Sequence, residues 1–129
     1  APKATTKSSA PPADVYEGSS EAAKRAVSAG REAEGVAGRE NSATAMDSAA
    51  VRWDQVTVLV AGAALHDARF RALSLRRQSM SAGPRPERVA HFREGLYVFL
   101  AQAPRNSPEY STAQRWQSQI QTGNKALYR

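Results

Sequence analysis

Chemistry at neutral pH would have to run through a short set of side chains. The chain holds two histidines, His66 and His91, and no cysteine. The lack of cysteine excludes a thiolate nucleophile, a disulfide framework and any Cys-ligated zinc or iron–sulfur site. The histidines stand 25 residues apart. With Asp67 they would make three metal ligands, but no HExxH-like spacing sets them on one element. GxSxG, GxxxxGK[ST] and GxGxxG are all missing, and Gly30, Gly35 and Gly38 follow no strand. Asp54, Asp67, Glu87 and Glu94 sit beside bases or near helix ends, unlike a carboxylate pair set in an apolar cleft for acid–base work. The expectation is a non-enzyme with no catalytic residue, cofactor or metal.

Arginine is the residue type in excess. The 129 residues carry 18 Lys+Arg against 12 Asp+Glu, and 14 of the bases are arginine. Residues 1–50 have a net charge of −1 and residues 51–129 a net charge of +7. The planar guanidinium fork suits bidentate contact with phosphate or carboxylate. A basic excess of this size implies a polyanionic partner. The candidate contacts are Lys24, Arg25, Arg31 and Arg39 in the first half, then Arg69, Arg76, Arg77, Arg85, Arg88 and Arg93. On a helical wheel the first four share an arc of roughly 120°, which Glu17, Glu21 and Glu32 also occupy. The other six form a ridge across a turn, able to grip phosphates without reading sequence. The same residues equally fit dipole-stabilising cations at a helix end and stems that cover apolar surface.

The elements that must position these side chains fall into three zones. Ala1–Ser20 is an arm of Ala, Pro, Ser, Thr and Lys in which only Val15 and Tyr16 can pack. Glu21–Ser48 reads as a helix of small residues with Ser20 as N-cap and almost no apolar stripe. Asp47–Arg129 has the material for a core. Asp47 or Ser48 caps a long helix to about residue 80, with Val56, Leu59, Val60, Ala63, Phe70 and Leu73 in helical register. Trp53, Val58, Ala64 and Leu65 cover its other sides. The β-branched run VTVLV leaves a buried strand as the alternative at Val56–Val60, and Leu96–Leu100 is a second such place. A helix over 86–102 follows the SAGPRP break, with Val89, Phe92, Leu96, Phe99 and Leu100 on its apolar face. Ser107 and Pro108 open a last helix to about residue 122, carrying Tyr110, Ala113, Trp116, Gln117 and Ile120 and stopped by Gly123–Asn124. Phe70, Phe92, Tyr97, Phe99 and Trp116 sit at core spacing. The fold class is therefore all-α: an N-terminal arm and small-residue helix (1–46), then a small antiparallel helical bundle (47–129).

The 25 alanines lower the core volume that an apolar share of 41% would suggest, and a bundle of this size gains from burial against other subunits. The longest uncharged apolar run, Val56–Leu65, is about half of a membrane span. No Lys/Arg-led hydrophobic segment opens the sequence, which reads as no secretory signal. An arm, a small-residue helix and a basic bundle together resemble, in outline and without a shared motif, the coat proteins of filamentous archaeal viruses. The resemblance implies a virion subunit that sheathes double-stranded DNA, with the arm and the first helix against the nucleic acid and many copies of the chain, or a related one, as partners. Two other readings stand beside it. One is an accessory subunit of a large intracellular complex (mitochondrial, ribosomal or axonemal) whose arm threads between partners. The other is a stand-alone nucleic-acid-binding regulator.

Overall fold

The structure, a computed structural model, describes residues 14–121. Five helices follow one another: α1 Glu21–Glu40, α2 Ala43–Thr57, α3 Gly62–Ala82, α4 Pro86–Gln102 and α5 Pro108–Gln121. No strand occurs among the described residues, so the all-α helical bundle stands. Residues 1–13, most of the expected arm, lie outside the described residues, as does the Gly123–Asn124 stop.

The first boundaries differ from the sequence expectation. The small-residue helix ends at Glu40, because Asn41 takes the left-handed conformation (φ 51°) and its N–H bonds to the Ala37 carbonyl. Ser42 then caps α2 by accepting from the Ala45 N–H at 2.9 Å, so neither Asp47 nor Ser48 is the cap. The single helix expected over 48–80 is two helices meeting at a corner. Val56, Thr57, Val58 and Val60 lose side-chain freedom in a helix, which lowers the cost of leaving it there. The chain exits at Thr57, and α3 starts at Gly62, whose φ of +63° suits glycine. VTVLV is thus neither strand nor continuous helix. Val58, expected in the core, is 80% exposed, and Leu59 is exposed with it. Further on, α4 spans the expected residues and Leu96–Leu100 is helical. Ser107 Oγ accepts from the Tyr110 N–H at the start of α5.

Two apolar clusters form the interior, with α3 as the wall between them. On one side Ala64, Ala68, Ala72 and Leu75 of α3 meet Met46, Ala49, Ala50, Trp53 and Val56 of α2. Tyr16, Val27 and Ala37 join this cluster from the N-terminal segment and α1. On the other side Leu73 and Met80 of α3 meet Phe92, Leu96 and Phe99 of α4, then Ala113 and Ile120 of α5. Each large side chain fully buried here is worth roughly 1.5–3 kcal/mol.

Small residues set how closely α1 approaches. A Cβ on Gly30 would lie 2.9 Å from Trp53 Cε2, so helix backbone rests on the indole face. The indole N–H donates to Glu34 Oε1 at 3.0 Å, and Tyr16 covers the ring from another side, with centroids 5.9 Å apart. The helix that the resemblance would lay against nucleic acid is, at Gly30, packed on the chain's own tryptophan. Of the aromatics placed in the core by spacing, Phe70, Phe92, Phe99 and Trp116 pack there, Phe70 and Trp116 stacked within 8° of parallel. Tyr97 is the exception and is 75% exposed.

Candidate polyanion-binding surface

The clusters leave polar groups at their edges, and there the arginines are divided into two sets. The first set is engaged within the chain. Arg76 Nη1 and Nη2 donate to both oxygens of Asp54, at 3.1 and 2.6 Å, tying α3 to α2. Arg88 Nε donates to Asp47 at 2.9 Å and Nη1 to the Gly83 carbonyl at 2.7 Å, while Ser79 donates its hydroxyl to the other Asp47 oxygen. That network joins α2, the end of α3 and the start of α4. Arg31 donates to Asp14 at 3.0 Å and lies over the Tyr16 ring. The Tyr16 backbone N–H and this guanidinium hold the Asp14 carboxyl below its ordinary pKa.

Arg77 is different: its guanidinium lies 5.2 Å over the Trp116 ring, and its Nε is buried without a hydrogen-bond partner. Burial pulls its pKa down. Arg71, which lies inside the ridge region and which sequence spacing gave no reason to single out, bonds Asp67 at 2.7 Å, pairs with Glu34 at 3.5 Å and covers Trp53. Burial opposes its charge, but the bond to Asp67 and the nearness of both carboxylates outweigh that and raise its pKa. Asp67 also accepts from the Tyr16 hydroxyl at 2.6 Å; burial and that bond push the phenol well above its ordinary pKa.

Histidine takes no part in a metal cluster among the described residues. His66 Nε2 lies 3.0 Å from Glu109 Oε1 and its ring stacks on Phe99, holding the start of α5 to α3. The His66 bond, against the opposing effect of burial, keeps the Glu109 carboxyl below its ordinary pKa. His91 instead lines an open groove.

The second set of bases makes no ion pair among the described residues: Lys24, Arg25, Arg39, Arg69, Arg85 and Arg93. Lys24, Arg25 and Arg39 are exposed on α1, where exposed Glu21, Glu32 and Glu40 share the surface. The structure therefore does not gather the six arginines of the expected ridge on one surface: Arg76, Arg77 and Arg88 are engaged within the chain, and Arg69 lines a separate groove. Arg85 and Arg93 are brought together, lining one shallow concavity with Pro84, Pro86, Val89 and Ala90. Arg85, the residue before α4, and Arg93, two turns into it, meet at that concavity, and neither Glu87 nor Glu94 lines it. This side of α4 offers two exposed, unpaired guanidiniums beside an apolar floor with no acid lining it. Arg105 and Arg115 are exposed farther along the same half of the chain.

Among the described residues, no helix is long and apolar enough to cross a membrane. No protein family, curated protein or solved structure matches this chain.

Proposed function

We propose that this chain is a structural assembly subunit that holds nucleic acid through non-specific arginine–phosphate contacts, as a virion coat subunit does. The observation that carries the reading is the Arg85–Arg93 edge of α4, exposed, unpaired and free of lining acids. It belongs to the half of the chain with a net charge of +7. Guanidiniums so placed neutralise backbone phosphates and displace counterions, and base identity has no part in that exchange. In this reading α1 contributes less than an extended arm would. Its inner face is occupied by Trp53, and its outer face carries both signs. Double-stranded DNA is the partner that the resemblance implies, and many copies of the chain supply the remaining affinity.

The test is binding of a mixed-sequence DNA duplex by the purified chain across a salt series. Replacing Arg85 and Arg93 by Ala should flatten the log–log salt slope by roughly one to two units. Arg76→Ala should leave the slope unchanged, since that guanidinium is held by Asp54. An isolated assembly should carry nuclease-resistant nucleic acid, seen in its 260/280 absorbance ratio. A nucleic-acid-free assembly, or a slope indifferent to Arg85 and Arg93, would overturn the reading. The second reading, an accessory subunit meeting acidic protein, draws on the same unpaired Arg85 and Arg93, since a guanidinium fork grips a carboxylate as it grips a phosphate. It predicts one copy per complex, whereas a coat self-assembles from one or two chain types.

A further inference from the structure

Helix α4 borders a second surface of different character. A groove of about 460 Å³ runs between the end of α2, α3 and α4, with Leu73 and Phe99 in its floor. Its charged lining is of both signs: Arg69, Arg76 and His91 with Asp54 and Glu94. Thr57 and Val98 stand at its edge. Val58 and Leu59 follow Thr57 directly, and like Val98 they are exposed. No charged residue lies between Asp54 and His66, so this corner presents apolar surface without the polar cover usual on a monomer.

From the charge pattern and the apolar rim together, we infer that this face seats a second copy of the chain in a twofold pair. The inference rests on the assembly reading above and names the surface through which copies meet. The charges decide the occupant. Asp54 holds Arg76, which leaves Arg69 and Glu94 facing the groove without an ion pair among the described residues, beside His91. A phosphate backbone or an anionic bilayer would meet Glu94 with like charge. A second copy brings the same two residues in reversed order, so each Arg69 can face the other copy's Glu94. The Val58–Leu59 corner and Val98 then leave water against their counterparts.

The experiment is sedimentation equilibrium of the full chain, stripped of nucleic acid by nuclease and high salt. A concentration-dependent dimer is expected. Val98→Glu should weaken it by about tenfold or more in Kd without loss of helicity, since the side chain is solvent-facing. Glu94→Arg and Arg69→Glu should each weaken the dimer, and the double variant should regain it. A monomer at about 100 µM, far above a micromolar Kd, overturns the inference. Failure of the double variant to recover also overturns it. So does binding to vesicles of phosphatidylglycerol and phosphatidylcholine that Val98→Glu abolishes, which assigns the face to lipid. Arg93 lies about 140° round α4 from Val98, and Arg85 precedes the helix, so Val98→Glu should leave the salt slope of nucleic-acid binding unchanged. A dimer that binds no nucleic acid would sink the functional reading alone; a monomer that binds it would sink this inference alone.

Discussion

Gly30 offers a perturbation in which two effects of known size oppose each other. In a solvated helix, Gly→Ala stabilises by about 1 kcal/mol, because alanine loses less backbone freedom on folding. At Gly30 the added Cβ would sit 2.9 Å from Trp53 Cε2 and 3.1 Å from Cδ2. Real Cβ contacts essentially never come this close, and the neighbour is a rigid ring. The indole has little room to yield: it is fully buried and its N–H is bonded to Glu34. Overpacking of this kind costs typically 1–3 kcal/mol. The sum is therefore a destabilisation of about 0–2 kcal/mol. Gly38 supplies the control on the same helix, since a Cβ there meets nothing within 4 Å. Gly38→Ala should stabilise by up to about 1 kcal/mol. Urea unfolding followed by circular dichroism should separate the two variants by about 1–3 kcal/mol, the overpacking contribution alone. If α1 were a peripheral arm, both variants would gain stability equally. Equal gains would refute the docking of α1 on Trp53 and the account of its small residues.

Two more predictions concern single charged or polar groups. The Tyr16 phenol has a raised pKa, so the folded chain holds its proton more tightly than the unfolded chain. Its contribution is complete below the ordinary tyrosine value of about 10 and is lost as pH rises above it. Tyr16→Phe should cost about 1–2 kcal/mol at neutral pH and flatten the decline of Tm with alkali; an equally steep decline would dismiss the Tyr16–Asp67 bond as its source. Arg77→Met should keep stability within about 1 kcal/mol of the parent, because the buried Nε lacks a hydrogen-bond partner and the apolar chain can still cover Trp116. A loss beyond about 3 kcal/mol would mean that the cation over the ring matters more than its desolvation.

What the sequence disclosed depended on whether the signal was local. Helix α4 was legible because Pro86 and Pro104 bracket it, and α5 because Ser107 and Pro108 open it. The corner at 58–61 was hidden: Val56, Leu59 and Val60 continue the helical register, and their β-branched run reads as a strand as readily as a break in the helix. Asn41 and Ser42 did carry a stop and a cap, but an alanine-rich run on both sides masks the join. The docking of Gly30 could not be read either, since a glycine alone signals a weak helix, and only the tertiary placement of Trp53 supplies its partner. For the arginines, composition gave the sign and the half of the chain. Which of them are engaged was decided by carboxylates far along the chain: Asp54 for Arg76 and Asp47 for Arg88, 22 and 41 residues away.

The placement of α3 between two apolar clusters has a consequence for how the chain folds and opens. Among the described residues the close backbone approaches between helices are those of chain neighbours, α1 with α2, α2 with α3, α3 with α4 and α4 with α5, while α5 meets α3 through side chains. Such a series of nearest-neighbour interfaces has low contact order, so folding needs few distant loop closures and should be fast for its size. Openings should begin at either end of the series and spread inward. The α5 end can detach while α1–α3 keep their cluster, and the α1 end can loosen while α4 stays on α3. Backbone amides of α3, covered from both directions, should be the last to exchange with solvent.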